Sequence, residues 1–537
     1  MRFALRTSLL VLPVLVTAHL AVASDAPLIE AVKKADSRAF RALMQSRVDV
    51  NSREVDGTTA LHWAAYRGDA AMAQTLLTAG ANANATNRYG VTPLSLAAAT
   101  GNPTLVRHLV QGGAKVNDRP AGGATPLMVA ARNGHTEVLK YLIAHGADVN
   151  AFEDSRGQTA LMWAAERDNG PAVKLLAEAG AELEVRSKGP ASRVNSTDKV
   201  RGIERLFNLD TKRTRIDEYA ALHFAARAGA TNAARALLAA GANPNSISED
   251  GMTPVVLAAF NANWETGVAI VEGGADPNAA KQGWTALHQI ARTRGLSRTL
   301  LPNPVPKGRL TALDLAEALI AHGADVNARV TKPITGDQER GRFVMIDATP
   351  ILIAAKSFDA NLMRLLAANG ADRTLGNKAN STILSLAAGC EVSNVGEDSG
   401  PVADSRAAVE VAWGLGGDVN HVASKAAEAE RAIGLPDGLG GGDTPLHCSA
   451  FIGAGETARF LLERGAKLDA KNAKGLTPLA IAAGYGERSS AVPQPAVIAV
   501  LKHFHELKGV PIEPPELSEL VSTFDQGSSR ASESSAR

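Results

Sequence analysis

The feature that most constrains the fold of this chain is a segment of about 33 residues that returns many times. Its clearest copy, residues 57–84, reads GTTALHWAAYRGDAAMAQTLLTAGANAN. The threonine before the apolar part of this copy returns in steps of 33, 33 and 34 residues, at Thr59, Thr92, Thr125 and Thr159. A repeat of this length predicts a stack of similar units instead of one globular core.

Each unit predicts two short helices joined by a glycine turn. In residues 57–84, Gly68 ends the first helix, because a residue without Cβ adopts the left-handed conformation that a helix stop needs. Apolar residues at helical spacing between Ala70 and Leu77 predict the second helix. Both helices are shorter than the roughly 12–15 residues that an isolated helix needs in water. Each unit therefore depends on its neighbours for stability.

The repeat resembles the ankyrin repeat, whose Thr-Pro-Leu-His-x-Ala core and period near 33 residues it shares. Its second helices end in Gly-Ala pairs at residues 80–81, 113–114, 146–147 and 180–181. The resemblance extends over roughly residues 26–505. It implies an all-α repeat solenoid, a single elongated array of helix–turn–helix units joined by short β-hairpin-like turns. A capping helix pair and about eleven repeats fit the sequence.

The segments that we predict follow the regularity of the repeat. They are a signal peptide at 1–23, N-terminal capping helices at 24–56, regular repeats at 57–184, a basic insertion at 185–216, repeats at 217–327, irregular repeats with insertions at 328–505, and a C-terminal cap with a disordered tail at 506–537. Insertions in solenoids map to loops and leave the stacked core intact. We therefore expect the core to continue through the irregular half.

The N-terminus predicts export of a bacterial type. Arg2 and Arg6 form a short positive region, residues 8–18 are apolar, and Ala21-Val22-Ala23 is a small-x-small cleavage site. A membrane anchor is the alternative, but Pro13 breaks the apolar run. No later stretch reaches the roughly 20 apolar residues of a membrane span. We expect a soluble mature protein that is periplasmic or secreted, without stable membrane insertion.

Charge and motifs argue against nucleic-acid binding and catalysis. The chain has 56 basic and 55 acidic residues, and removal of Arg2 and Arg6 leaves 56 − 2 = 54 basic residues and a net charge of about −1. The sequence contains no phosphate-loop, zinc-protease, nucleophile-elbow or haem-attachment motif. We therefore expect no enzyme, no catalytic residues, no cofactor and no nucleic-acid partner.

Four histidines occupy the same slot in four repeats: His62, His223, His288 and His447. A metal site is one interpretation, since imidazole is a common metal ligand. In the ankyrin repeat this slot is structural and ties the turn backbone to the helix. The resemblance therefore implies a structural role and no metal site.

The two cysteines, Cys390 and Cys448, fall in or just after the first helices of adjacent repeats. An exported protein meets an oxidising environment, so a disulfide is one possibility. Neighbouring helix axes lie about 8–10 Å apart, whereas the Cα atoms of a disulfide lie within about 7 Å. The two cysteines also occur at different heights in the repeat. We expect two buried free thiols, with a disulfide as the alternative.

The resemblance also implies that the chain binds another protein through a concave surface of turn tips and first-helix ends. Arginine and aromatic residues, the types that dominate binding energy at interfaces, recur at these positions. The predicted contact residues are Tyr66, Arg67, Arg88, Tyr89, Arg132, Arg156, Arg167, Arg227, Phe260, Trp284, Arg292 and Phe451. We expect a monomer whose partner protein has an acidic surface; a solvated face without a partner is the alternative.

The insertion at 185–216 is a second candidate for binding. It holds nine basic and three acidic residues. Ile203, Leu206 and Phe207 have helical spacing, so a short helix can dock on the solenoid or on a partner. An anionic membrane surface or a polyanion is a further possible target.

Two other functions compete with a binding module. The first is an accessory subunit of an exported redox system, because some ankyrin proteins similar to this one carry a haem-attachment motif. The second is an enzyme whose site is assembled from the insertions at 293–312, 328–346 and 391–408. Those insertions contain no histidine, which disfavours such a site.

Overall fold

The computed structural model describes residues 27–46, 48–120, 122–188, 218–295, 304–332, 346–392, 400–422, 442–485 and 493–512. The helices of the N-terminal part are α1 (Pro27–Lys33), α2 (Ser37–Gln45), α3 (Ala60–Tyr66), α4 (Ala70–Thr78), α5 (Pro93–Thr100), α6 (Pro103–Gln111), α7 (Pro126–Asn133), α8 (Thr136–Ala144), α9 (Ala160–Glu166) and α10 (Gly170–Glu178).

The helices that follow are α11 (Ala221–Ala228), α12 (Thr231–Ala239), α13 (Pro254–Phe260), α14 (Trp264–Glu272), α15 (Ala286–Gly295), α16 (Ala312–Ala321), α17 (Pro350–Lys356), α18 (Ala360–Ala368), α19 (Ile383–Ala387), α20 (Ser405–Gly414), α21 (Pro445–Phe451), α22 (Gly455–Glu463), α23 (Pro478–Ala482) and α24 (Pro495–Lys508). A short 3₁₀ helix, Val402–Asp404, precedes α20.

The helices come in pairs, and this pattern confirms the prediction of an all-α repeat solenoid. In the part of the chain that the structure describes, α1 and α2 form a cap and eleven further pairs follow. The turns between pairs carry isolated antiparallel bridges, Arg53 with Thr59 and Phe152 with Thr159, within the described ranges. These bridges are the counterpart of the predicted hairpin-like turns.

Side chains at the helix starts explain why the repeat begins at threonine. The Thr59 side chain accepts a hydrogen bond from the backbone N–H of His62 at the start of α3. Asp69 does the same for Met72 at the start of α4, with a distance of 2.9 Å. A capping side chain satisfies a backbone donor that has no partner inside the helix. Between the two helices Gly68 adopts φ = 72°, as the helix stop requires.

The chain divides into two compact units. The N-terminal unit comprises residues 1–130 and 137–148, and the C-terminal unit comprises 131–136 and 149–537. In the N-terminal unit α3 packs on α5, and the alanine pairs 64–65 and 97–98 are fully buried. Short side chains allow close approach of the helices. The C-terminal unit has larger core residues as well, including the fully buried Phe224 and Phe460.

In most of the described repeats an asparagine side chain links one turn to the next turn along the chain. In the N-terminal unit Asn51 donates to the Gly80 carbonyl at 3.1 Å and accepts from the Asn82 N–H at 2.7 Å. In the C-terminal unit Asn278 makes the same pair of bonds to Gly323 and Asp325, at 2.9 and 2.7 Å. Within each of these two parts, hydrogen bonds from asparagine side chains to the backbone therefore hold neighbouring repeats in register, in addition to apolar packing.

The insertions do not interrupt this register. The bonds of Asn278 join residues 45 and 47 positions apart, whereas Asn51 joins residues 29 and 31 positions apart. Asn327 likewise donates to the Gly370 carbonyl at 3.0 Å, 43 positions away. The additional residues leave the stacked contacts in place, as the sequence predicted.

Cys390 and Cys448 form a disulfide, with sulfur atoms 2.03 Å apart and Cα atoms 4.9 Å apart. The expectation of two free thiols is therefore wrong. It assumed that both cysteines lie on packed helices, but Cys390 lies beyond the end of α19. Gly389 lets the turn approach α21, because a Cβ there would lie 2.6 Å from Ile452 Cδ1. Close approach at this glycine brings the two sulfur atoms within bonding distance.

Some predictions concern residues outside the described ranges. These are the signal peptide at 1–23, the short helix proposed around 203–207 and the C-terminal cap and tail beyond residue 512. Within the described ranges, no helix combines the length and the apolar character that a membrane span needs.

Candidate protein-binding surface

The C-terminal ends of some first helices reach solvent, while most residues earlier in those helices are buried. Tyr66 ends α3 and Arg67 follows as its cap, whereas Ala64 and Ala65 belong to the core. Arg167 caps α9 in the same way and is exposed. The helices α3 and α9 thus present their ends to solvent, whereas α17 and α19 are buried to their last residue.

In the N-terminal unit, five exposed residues form a surface that we call the tip patch: Val55, Tyr66, Arg67, Arg88 and Tyr89. Val55 is fully exposed, and Tyr66 and Tyr89 are 63% and 57% exposed. The Arg88 guanidinium lies over the Tyr89 ring, 4.7 Å from its centroid. Arg67 donates from Nη1 to the Lys33 carbonyl at 3.0 Å.

A network of buried and half-buried groups supports the tip patch. The Glu54 carboxylate accepts from Trp63 Nε1 at 2.7 Å and forms an ion pair with Lys33. The Lys33 ammonium lies 4.8 Å from the centroid of the Trp63 ring, and Trp63 meets Tyr66 edge to face at 5.8 Å. The hydrogen bond to Glu54 raises the pKa of Lys33. The network therefore holds a charged lysine and positions Tyr66.

In the C-terminal unit, Arg132, Arg167 and Arg227 lie at the ends of successive first helices, and we call them the arginine row. Arg132 and Arg167 are exposed, and Arg227 is half-buried. The Arg132 guanidinium lies 5.5 Å from the centroid of the Trp163 ring. Trp163 is fixed in turn, because its Nε1 donates to Gln158 Oε1 at 3.0 Å.

Arg227 differs from the other two members of the arginine row because it has an acidic partner. Its Nη2 lies 2.8 Å from Glu166 Oε1. Its guanidinium also lies 5.0 Å from the centroid of Phe224 and 5.6 Å from that of Tyr219. Glu166 neutralises this charge, so the positive character of the arginine row comes from Arg132 and Arg167.

Arg156 lies on an exposed turn that a buried carboxylate shapes. Glu153 accepts from the backbone N–H groups of Ser155 and Arg156 at 2.7 Å and of Gln158 at 3.1 Å. Burial raises the pKa of Glu153, but the hydrogen bonds from the Ser155 side chain and these backbone groups outweigh it and lower the pKa overall. The carboxylate is therefore occupied inside the turn, and Arg156 points its charge to solvent from an exposed position.

Two predicted contact residues are buried instead of exposed. Trp284 is 6% and Arg292 is 8% exposed. The Trp284 indole donates from Nε1 to Gln289 Oε1 at 3.2 Å, inside its own unit. Arg292 lies within α15, which has ten residues and continues to Gly295, whereas α3 has seven residues and ends at the equivalent Tyr66. The prediction of these two as surface residues is wrong.

The two predicted phenylalanines are intermediate in exposure between the exposed tyrosines and the buried Trp284. Phe260 ends α13 and Phe451 ends α21, and both are half-buried. Each therefore offers part of its ring at the surface.

The histidines have the structural role that the resemblance implied. His62 Nδ1 accepts from the Thr59 N–H at 3.2 Å, so Nε2 carries the proton and donates to the Val91 carbonyl of the next unit at 3.0 Å. His288 and His447 repeat this arrangement. In the described ranges, no group of three histidine, cysteine or acidic residues is placed to hold a metal ion.

The sequence reasoning missed Trp63 and Trp163, which support Tyr66 and Arg132. Both follow the motif threonine by four positions, Trp63 after Thr59 and Trp163 after Thr159. On the first helices, the prediction used only the seventh and eighth positions after that threonine. A tryptophan in a slot where other repeats have aliphatic residues was the signal that was available.

Comparison with known proteins identifies the repeat. A family model of three ankyrin repeats matches residues 28–120, 101–187, 195–281 and 222–330, and a model of a single ankyrin repeat matches 441–473. Together these matches cover more than half of the chain. The chain belongs to the ankyrin-repeat family. Ankyrin repeats generally mediate protein–protein interaction, through the extended surfaces that stacked units create.

Individual relatives match only parts of this ankyrin-repeat chain. Over 74 residues it is 39% identical to ankyrin repeat domain-containing protein 13C-A of Xenopus laevis, which is 14% of either chain. The crystal structure of the human ASB11 ankyrin repeat domain is 26% identical to it and covers 47% of this chain and 99% of that domain, with a TM-score of 0.38.

Proposed function

We propose that this ankyrin-repeat protein is a non-enzymatic binding module of the cell envelope that docks a partner protein on its first-helix ends and turn tips. The observation that carries the proposal is the pair of Arg132 and Trp163. An exposed guanidinium is held over an indole that is itself fixed by Gln158. Arginine and tryptophan are the residue types that most often dominate binding energy at interfaces.

The charge of the arginine row favours an acidic partner. Within the described ranges neither Arg132 nor Arg167 has a carboxylate within ion-pair distance, whereas Arg227 is paired with Glu166. A guanidinium presents five N–H donors in a planar fork that matches a carboxylate. Two exposed arginines that form no ion pair within the described ranges are therefore suited to carboxylates of a second protein.

Pre-organisation supports the same proposal. A free arginine side chain loses rotamer freedom when it binds, at a cost of about 0.5–1.5 kcal/mol for each immobilised side chain. Stacking on Trp163 already restricts Arg132 before the partner arrives. The cost of binding is correspondingly lower at this position.

Two observations support the location. The Cys390–Cys448 bond is of the kind that persists in oxidising compartments and is rare in the cytosol. The N-terminal pattern of Arg2, Arg6 and the small-x-small site at 21–23 is that of an export signal. We therefore place the protein in the periplasm or outside the cell.

The test is capture of partners from an extract of the protein's own compartment. The double variant Arg132→Glu and Arg167→Glu reverses both unpaired charges, and we expect at least a tenfold loss of the captured partner. Arg235→Glu is the matched control, because Arg235 is exposed on the second helix α12. Equal capture by all three proteins would show that the arginine row does not contact the partner. If the unaltered protein captures nothing, the binding function itself is contradicted.

A further inference from the structure

Hydrogen bonds and ring contacts connect the elements that carry the tip patch within the N-terminal unit. The Arg88 N–H donates to the Asp56 carbonyl at 2.7 Å, which joins the turn that carries Tyr89 to the turn that carries Val55. Glu54, next to Val55, reaches Trp63 at 2.7 Å, and Trp63 contacts Tyr66. Through these contacts, Val55 on one turn, Tyr89 on the next turn and Tyr66 at the end of α3 belong to one surface.

The patch presents two positive charges to solvent, because Arg67 and Arg88 are exposed. The charge of Glu54 is balanced by Lys33 in an ion pair. The Asp56 carboxylate accepts from the Thr58 N–H at 2.9 Å, and this bond, together with the charge of Arg88, lowers the pKa of Asp56. Asp56 therefore stays ionised near Arg88, but within the described ranges neither Arg67 nor Arg88 has a carboxylate within ion-pair distance.

The patch also exposes apolar surface that the fold does not use. Val55 is a fully exposed aliphatic side chain, and Tyr66 and Tyr89 of the same patch are each more than half exposed. Burying a valine side chain fully stabilises a complex by about 1.5–3 kcal/mol. Cationic groups and unused apolar area together specify a ligand with carboxylates around an apolar side chain.

We infer that the tip patch binds an extended peptide segment of a partner protein, with acidic side chains on both sides of one aliphatic or aromatic residue. This inference rests on the proposed binding function and adds the chemistry of what is bound. The carboxylates pair with Arg67 and Arg88, and the apolar residue covers Val55 between Tyr66 and Tyr89.

Single-stranded nucleic acid is the competing ligand, since it also binds arginine and aromatic groups. The observations favour the peptide. Val55 is aliphatic and offers no ring for base stacking. The formal net charge of the chain is +1, whereas a nucleic-acid-binding domain has a strongly basic surface.

The experiment is a selection of twelve-residue peptides from a randomised display library on the purified protein, followed by anisotropy titration of the selected peptides. We expect enrichment of Asp and Glu around Leu, Ile or Phe. The double variant Arg67→Glu and Arg88→Glu should weaken the selected peptides at least tenfold. Val55→Glu should weaken them similarly, and its full exposure keeps the fold intact.

The matched control is Arg107→Glu, because Arg107 lies on the second helix α6 of the same unit. Its guanidinium is 6.0 Å from the centroid of the ring of Tyr141, which lies on the second helix α8. This variant should leave affinity unchanged. The inference is overturned if the library yields no enrichment, or enriches basic or uncharged peptides. It is also overturned if both tip-patch variants bind the peptides with unchanged affinity, or if a twelve-nucleotide single strand binds more tightly than the peptides. If the arginine-row variant still loses its captured partner in that case, the proposed function stands without this ligand.

Discussion

At the scale of single residues, the threonine and histidine of the repeat act as a pair. Thr59 and His62, Thr285 and His288, and Thr444 and His447 place Oγ1 within 2.8, 2.9 and 2.8 Å of Nδ1. In three repeats where one partner is replaced, the other has a buried polar atom without a hydrogen-bond partner among the described residues. These atoms are Nδ1 of His223, beside Ala220, and Oγ1 of Thr253 and Thr349, whose histidine slots hold Val256 and Leu352.

The first prediction follows from this pairing. Ala220→Thr supplies the missing hydroxyl to His223 Nδ1 and a cap to α11, which has no side-chain cap. We expect a gain of about 1 kcal/mol in the free energy of unfolding, since one buried group becomes satisfied. Urea unfolding measures it. In a His223→Ala background the gain should shrink to that of the cap alone, and an equal gain in both backgrounds would contradict the pairing.

The second prediction concerns acid. Burial lowers the pKa of His223 and His288 to about 4, whereas an unfolded histidine titrates near 6.5. Between pH 6.5 and pH 4, these two histidines are therefore protonated in the unfolded chain and neutral in the folded chain. Stability is full above pH 6.5 and falls as the pH falls through this window, by about 2 kcal/mol for each of these histidines between pH 6.5 and pH 5.

Urea unfolding at pH 7 and pH 5 measures this loss, and burial lowers the pKa of His62 and His447 as well. His288→Leu removes one titrating group, so the difference in stability between the two pH values should become smaller. The same difference in the variant as in the unaltered protein would contradict the assignment.

At the scale of elements, the sequence predicts the helices well because each depends on local signals. A threonine cap, an apolar stripe and a glycine stop recur about every 33 residues, and the structure places helices accordingly at α3 and α5. Helix length is the weak point. The period does not show that α15 continues to Gly295, so the exposure of Arg292 was predicted wrongly.

The disulfide could not be predicted from the repeat because it depends on a departure from it. The helix α19 has five residues, and Cys390 lies in the turn that follows, whereas Cys448 lies within α21. A distance estimated between helix axes does not apply to a residue beyond a helix end. The chemistry of the contact residues was accessible from the sequence, but their support by Trp63 and Trp163 required the packed structure.

The third prediction tests the disulfide as a link between repeats. The bond closes a loop with a sequence separation of 58 residues, and restricting the unfolded chain in this way stabilises the fold by about 4 kcal/mol in the loop-entropy model. We expect Cys390→Ala with Cys448→Ala, or reduction of the unaltered protein, to lower the free energy of unfolding by an amount of this order. Hydrogen exchange of α19 to α22 should speed up most, and unchanged exchange there would contradict the link.

At the scale of the whole molecule, the chain has a net charge near zero and concentrates its binding chemistry in two surfaces. The tip patch belongs to the N-terminal unit and the arginine row to the C-terminal unit. In repeat proteins the core fixes the buried positions and leaves the exposed ends to vary. The family therefore accounts for the fold, and under the proposed function these exposed residues determine which partner this particular chain recognises.

The most direct measurement is photo-cross-linking in the living cell from single positions on the two kinds of helix. A photoreactive residue at position 66, 89 or 167 samples first-helix ends and turn tips, and one at position 107, 235 or 459 samples exposed second-helix sites. We predict that the same partner protein is cross-linked from the first set and not from the second. Cross-linking from the second set alone, or from neither set, would contradict the account.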